Sequence, residues 1–505
     1  MSRNYKQITW SLRSKWTALT AAALCAIILL GSAAVPASCS PIHLRYRDPD
    51  VRMRERMQRA QTRSTPPSHW PAPHQLQLVD VDSDVEVISV LDFGADPTGA
   101  KDSTEAFQAA LKAAAPGSGP HPMTVYAPIG IYTLVGSISI PPGVTLSGSY
   151  RSVTSHVTPN EPPTDGTVLM PTGGRGDPTG VPCVNVGDDS TLRGVAFFYP
   201  DQASTGTPAP YPFAIGMSGN NAAVTDTELI NAYQGINATG AHRHYIARVM
   251  GQPLYIGLWV DATYDIGRVE DVHWNPWWSQ NVDVTSFMAL RGRGFVFARS
   301  DWEYVFNTFC FCYAVGYHFI VSDVGTINAN LLGLGADLAF NASVLVEGAQ
   351  PPGLLFTNGE FTSFGSNTSW CPSCQQSNVQ VRVMSSTAGS NGGPVRFVNS
   401  AFWGPSTNIA VHEGDNLLAF SDCTFVQWGL QPGEPPDQPA LLARSGNLLV
   451  TGCEFQQPSS MQLQIDSGVR KVIFTNNMVA GSLRIQNNAP AAVVILGNNA
   501  PDSAT

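Results

Sequence analysis

Five hexapeptides in the last third of the chain constrain its fold more than any other feature. They are Phe356–Phe361 (FTNGEF), Phe397–Phe402 (FVNSAF), Phe420–Phe425 (FSDCTF), Val450–Phe455 (VTGCEF) and Phe474–Val479 (FTNNMV). Their third positions, 358, 399, 422, 452 and 476, are Asn, Asn, Asp, Gly and Asn, at spacings of 41, 23, 30 and 24 residues. Rungs of this length with Asn, Asp or Gly at a fixed turn suit a β-solenoid, in which asparagine side chains stack as a hydrogen-bonded ladder. Cys423 and Cys453 hold equivalent positions, so the pattern predicts stacked, inward, small residues rather than a disulfide. Weaker rungs precede these at Ala223–Gly235, Ile246–Asp261, Ile266–Trp274 and Ile327–Phe340.

The segment Val87–Gly148 has a different grammar. A short apolar strand, Val87–Leu91, enters a turn-rich stretch. A helix is predicted over 103–115, with Ser103 or Thr104 as cap, Asp102 and Glu105 near the positive end of its dipole, and Pro116-Gly117 as its stop. Phe107, Ala110 and Leu111 share one face of it. The runs Met123–Tyr126, Ile131–Leu134, Ser137–Ile140 and Val144–Leu146 follow, split by Gly and Pro. One helix ahead of many short strands predicts a lid on the end of a long β-structure.

In its motifs this segment resembles the opening of the pectate-lyase-like superfamily, the branch with rhamnogalacturonase-like, polygalacturonase-like and tailspike-like proteins. The residues that carry the resemblance are Asp92-Phe93-Gly94-Ala95, Asp102-Ser103-Thr104, Ala106-Phe107-Gln108-Ala109-Ala110, Pro128-Ile129-Gly130-Ile131-Tyr132 and Pro141-Pro142-Gly143-Val144. Pro97-Thr98 replaces the Gly-Asp turn common there, and Lys101 precedes the first cap acid. The resemblance implies an all-β chain, a single right-handed parallel β-helix with an N-terminal capping helix. It says little about activity, because these residues sit at the start of the solenoid and away from its faces.

Composition agrees. Charged residues are 13% of the 505-residue chain, with 46 Gly and 38 Pro. A net charge of −10 argues against nucleic acid as a partner. Arg3, Lys6, Arg13 and Lys15 precede an apolar run, Thr17–Val35, and small residues follow at Val35-Pro36-Ala37. This reads as a signal peptide or signal anchor over 1–37, with a lipid anchor at Cys39 a weaker reading. A basic, proline-rich linker spans 38–84 and a parallel β-helix domain spans 85–500. The expected location is extracellular or at the cell surface, with membrane contact only through the N-terminal segment. Nine cysteines suit an oxidising compartment, and Cys371-Pro372-Ser373-Cys374 reads as a disulfide pinching a loop. Asn237, Asn341 and Asn367 head glycosylation sequons. No coiled coil or swapped tail is evident, so a monomer is expected, with a trimer left open.

Chemistry concentrates between Asp261 and Asp323, where carboxylates, arginines and aromatics cluster in a chain otherwise sparing with charge. Aromatic faces stack on sugar rings, and paired carboxylates cleave glycosidic bonds. Asp301 and Glu303, at i and i+2 on a strand, are expected to project on one side and split their pKa values. With Asp271 they form the expected catalytic set, modulated by His273. Trp274, Trp277, Trp278, Trp302 and Tyr304 are the expected sugar platforms, and Arg299 a substrate contact. Glu360 and Asp337 are secondary candidates. The leading expectation is a glycoside hydrolase with no cofactor. A polysaccharide lyase is the alternative, with Arg291, Arg293 or Arg299 as base and Asp261, Asp265 and Asp271 holding calcium. A non-catalytic glycan-binding solenoid is a third reading. In each the partner is a polysaccharide.

Overall fold

The computed structural model describes residues 86–502, apart from 118–122, 153–154, 364–365, 376–377, 386–391, 430–436 and 459. The segments expected at 1–37 and 38–84 lie outside the described residues. Among the described residues, no helix is long and apolar enough to cross a membrane.

The described chain is a parallel β-helix. Thirty-eight strands join in one hydrogen-bonded network, and successive turns of the chain pair in parallel. Strands fall into three columns. The first begins at Glu86–Ser89 and ends at Val493–Gly497. The second carries Arg268–Trp274 at its C-terminal half, then Phe309–Phe311, Gly335–Ala339, Glu360–Ser363 and Ala401–Trp403. The third carries Ile256–Asp261, Arg293–Phe297, Val315–Phe319 and Ala342–Val346. A separate antiparallel hairpin pairs Ser366–Thr368 with Cys371–Gln375. The expected Cys371–Cys374 disulfide is present and lies within the second of these strands.

The hexapeptides stack in register: Phe356, Phe397, Phe420, Val450 and Phe474 are mutual partners. Their inward rings form a stack, with Phe356–Phe397 centroids 4.4 Å apart and Phe397–Phe420 5.3 Å apart. The second phenylalanines stack beside them, Phe361–Phe402 at 5.3 Å. Burying each such ring stabilises the fold by about 1.5–3 kcal/mol. The third positions are left-handed corners: Asn358, Asn399, Asp422, Gly452 and Asn476 have φ of 55, 48, 55, 69 and 60°. Asn and Asp tolerate this conformation and Gly adopts it freely, which is why these five repeats use these types. The asparagine ladder is present where expected, Asn399 Nδ2 donating to Asn358 Oδ1 at 2.8 Å. Cys423 and Cys453 are buried and free beside their corners. The same corner continues upstream through Asp226, Arg248, Asp271, Asn307 and Gly333.

The opening helix, α1, spans Thr104–Ala113 and buries Phe107, Ala110 and Leu111. Phe107 meets Tyr132 edge-on at 5.2 Å. Its capping differs from expectation. The Ser103 hydroxyl accepts the Asp96 N–H at 2.9 Å, and the Asp102 carboxylate instead accepts the Thr104 N–H at 2.9 Å. A second helix, α2, spans Val282–Arg291, where the sequence pattern predicted none. Asn281 caps it by accepting the Asp283 N–H, and Val284, Met288 and Ala289 are buried on its inner face.

The corner makes a direct prediction. Asn399→Val should destabilise the chain by about 1–3 kcal/mol, because a β-branched residue is strained at positive φ. Asn399→Gly should cost less than about 1 kcal/mol, the loss of one ladder hydrogen bond being partly offset by a relaxed corner. Chemical denaturation of the two variants measures the difference.

Candidate functional site

The strand Ser300–Phe306 does not keep a two-residue alternation. Trp302 has φ of 57°, and pairing with Ile327–Leu332 slips between Ser300 and Glu303. The expected carboxylate pair is therefore split. Asp301 stays outside, bound to Arg299 at 3.0 Å and to Gln350 Nε2 at 2.7 Å. Glu303 turns into the core and is 0% exposed. There it accepts the Ser300 hydroxyl at 2.6 Å and meets His244 Nε2 at 3.0 Å. Burial opposes charge on His244, but the Glu303 carboxylate outweighs it by charge and hydrogen bond, so the ring titrates above the ordinary histidine value. Glu303 is a structural ion pair with no access to a substrate.

Asp271 is a corner residue, with φ of 53°, and accepts Asn307 Nδ2 at 2.5 Å. His273 faces outward, half-buried between Trp277 and Phe309, each ring centroid 4.8 Å away. Burial pushes its pKa down. Its buried Nε2 has no partner among the described residues. Asp301 lines one cavity with Arg299 and Trp302, whereas Asp271 and His273 line another. The Asp301 and Asp271–His273 clusters are thus different places.

The tryptophans divide in the same way. Trp274 and Trp278 are 0% and 1% exposed, and so are core residues rather than sugar platforms. Trp278 Nε1 donates to the Pro159 carbonyl at 2.6 Å. Trp277 is half-buried against His273, and Tyr304 is half-buried near Phe306 on the first column. Trp302 is 58% exposed beside Arg299 and Asp301.

The three aspartates expected for calcium do not converge. Asp261 accepts the Ser322 hydroxyl and the Arg299 N–H, Asp265 pairs with Arg243, and Asp271 binds Asn307. Among the described residues, no group of three or more His, Cys, Asp or Glu side chains is placed to hold a metal.

A continuous groove runs instead along the second column. Its outward positions are Met250, His273, Phe309, Gly335, Glu360 and Ala401, each in register with the next. Gly335 opens the floor: a Cβ there would lie 2.7 Å from the Phe309 ring. A cavity of about 310 Å³ follows, lined by Asn307, Phe309, Asp337, Glu360, Thr362 and Trp403. A second, of about 340 Å³, shares Asn307 and Phe309 and reaches Asp271, His273 and Arg248.

Asp337 and Glu360 meet in the first cavity. Burial raises the Asp337 carboxyl above the usual range, Glu360 adds to this, and the Thr362 hydroxyl, donating at 2.7 Å, opposes it. Trp403 Nε1 donates to Glu360 Oε1 at 3.0 Å, which fixes that carboxylate. One carboxyl is biased toward its neutral form and the other is held as an acceptor, an arrangement suited to acid–base work. The secondary candidates of the sequence thus occupy one cleft, and the first choices do not. The hexapeptide register carried the missing signal: it sets Glu360 one position before inward Phe361, and Trp403 one position after inward Phe402.

One further cluster stands on the same row. Glu228, in register with Met250, accepts the His156 N–H at 2.8 Å and contacts the His156 ring. Asp165 holds the other side of that ring at 3.1 Å and accepts the Tyr150 hydroxyl at 2.9 Å. Nothing local in the sequence joins residues so far apart.

Residues 87–169 match the family model described as rhamnogalacturonase A/epimerase, pectate lyase-like. The opening rungs belong to the pectate-lyase-like superfamily. Among solved structures the chain is similar to the A-module of a mannuronan C-5 epimerase from Azotobacter vinelandii, with 13% identity, 83% of this chain and 100% of that one covered, and a TM-score of 0.40. It is also similar to PfbA, a surface adhesin of Streptococcus pneumoniae, with 15% identity, 79% and 91% covered, and a TM-score of 0.42. A family 28 exopolygalacturonase of Yersinia enterocolitica gives 12% identity, 82% and 78% covered, and a TM-score of 0.39. These values transfer no residue role. No curated protein sequence matches the chain.

The buried pair sets a prediction. Glu303→Ala should destabilise the fold by about 3–5 kcal/mol, because it leaves His244 buried without its partner. Because the folded His244 pKa is raised, its contribution is complete below about pH 6.5 and is lost as pH rises through the folded value. Glu303→Gln should remove that loss, read as the difference between the two pH–stability curves.

Proposed function

We propose that this protein is an extracellular glycoside hydrolase acting on a polysaccharide laid along the second-column groove. The observation that carries the reading is the convergence of Asp337 and Glu360 on one cleft, with burial holding Asp337 toward its protonated form. Asp337 would donate a proton to the leaving glycosidic oxygen as the C–O bond breaks. Glu360 would either activate a water or attack the anomeric carbon, and Asp337 would then accept a proton in a second step if an intermediate forms. The matched family is named for a rhamnogalacturonase and an epimerase, which supports a carbohydrate polymer as the ligand class.

The lyase alternative is less well supported. Arg299 is tied to Asp301, Arg291 lies exposed at the end of α2, and the aspartates proposed for calcium are each engaged elsewhere.

A panel of neutral and uronic polysaccharides tests the proposal. New reducing ends without unsaturated-sugar absorbance are expected, unchanged by chelator. Asp337→Asn and Glu360→Gln should each lower kcat by about 10²–10⁴-fold with folding intact. Absorbance that disappears with chelator would overturn the hydrolase. Reducing ends at wild-type rate in both variants would move the site.

The pH profile has a fixed sign. Activity needs Asp337 protonated, so it should fall as pH rises through a value above the ordinary aspartate pKa of about 3.9. That limb should vanish from the residual rate of Asp337→Asn.

A further inference from the structure

Trp302 is the most unusual residue on the surface. A bulky aromatic at a φ of 57° is a strained outlier, and this one leaves its indole 58% exposed. The backbone turn sends Glu303 inward, but the exposed indole itself adds nothing to the core. Strain of this kind persists only where the surroundings over-determine it, and here they do. The Trp302 N–H donates to the buried Asn328 side chain at 3.3 Å, and the Asp301 N–H to the Thr263 carbonyl at 2.9 Å. Gln350 ties the Asp301 carboxylate to the Ser300 and Thr326 carbonyls.

The strained indole borders a cavity of about 350 Å³ whose far wall includes Tyr264, 49% exposed. Arg299 lines the same cavity, with its guanidinium 5.3 Å from the Tyr264 ring centroid. Its Nε is buried and has no partner among the described residues. Two exposed aromatic faces thus flank a floor of fixed hydrogen-bonding groups, the combination that holds a sugar ring. The cavity lies at the start of the strand Ser300–Phe306, whereas the groove lies beyond the corner at Asn307.

We infer that this cavity is a second, non-catalytic glycan-binding site that takes a neutral sugar unit of a polysaccharide. Charge decides against a uronate. Both lining carboxylates are already paired, Asp301 with Arg299 at 3.0 Å and Asp265 with Arg243 at 2.7 Å. A uronate carboxylate would find no cation without a counter-ion and gain no net attraction there. The inference takes only its ligand class from the carbohydrate reading of the groove, and its test does not depend on cleavage.

The experiment is affinity gel electrophoresis of the chain with its groove disabled by Asp337→Asn and Trp403→Ala. The gels contain a β-glucan, a galactomannan, an arabinan, a xylan or polygalacturonate. At least one neutral polymer should retard this protein, and polygalacturonate should not. Adding Trp302→Ala should weaken retardation about tenfold or more, while Trp302→Phe should keep most of it. Trp302→Gly should also lose retardation, yet raise the melting temperature by relieving the corner. Retardation unchanged in Trp302→Ala, retardation by polygalacturonate alone, or none in any gel would each overturn the inference. Failure of the hydrolase proposal would appear separately, as no reducing ends from the wild-type chain.

Discussion

The structure depends on one backbone constraint repeated at each rung from Gly194 onward: a left-handed residue at the corner between the first and second columns. Parallel strands can stack indefinitely at about 4.8 Å, but a closed rung needs sharp corners. A residue at positive φ turns the chain within one position and resets which side chains face in. That reset lets Phe356 and Phe361, five positions apart, both point inward and build neighbouring stacks. It also sets the outward row after the corner, where Glu360 and Asp337 stand.

The same device explains the groove and the departure from expectation at Ser300–Phe306. Where the left-handed residue falls at the regular corner, as at Asn307 or Asn358, the second column begins in register and its outward residues line up. At Trp302 an additional left-handed residue falls near the start of a strand. The side chains on either side of it separate, one to solvent and one to the core. Glu303 is then satisfied only because His244 and Ser300 meet it inside. A buried carboxylate without such partners would be strongly unfavourable.

Much of the fold was legible. The hexapeptides placed five rungs at their observed register, because inward phenylalanines and corner residues must repeat with the rung. The opening strands and α1 followed from periodicity and Gly or Pro punctuation. The helix α2 was obscured by the Pro276-Trp277-Trp278 run before it, which reads as loop. The site was less legible. Clustering of charge and tryptophan in sequence suggested Asp301, Glu303, Asp271, His273 and the Trp274–Trp278 group. That clustering mixes an ion pair in the core, two core indoles, a corner residue and two separate surfaces.

The sequence by itself determined that the chain is an all-β solenoid, where its rungs repeat, and which residues turn its corners. These are local properties: a left-handed φ favours Asn, Asp or Gly, and an inward position favours an apolar side chain. Only the tertiary structure decided which carboxylates share a cleft. Asp337 and Glu360 belong to different rungs, and their meeting depends on interstrand register, on the glycine at 335 that leaves the space between Phe309 and Glu360, and on Trp403 from a third rung. It also decided that Glu303 is buried, because one strained residue, Trp302, overrides the two-residue alternation that the sequence alone implies.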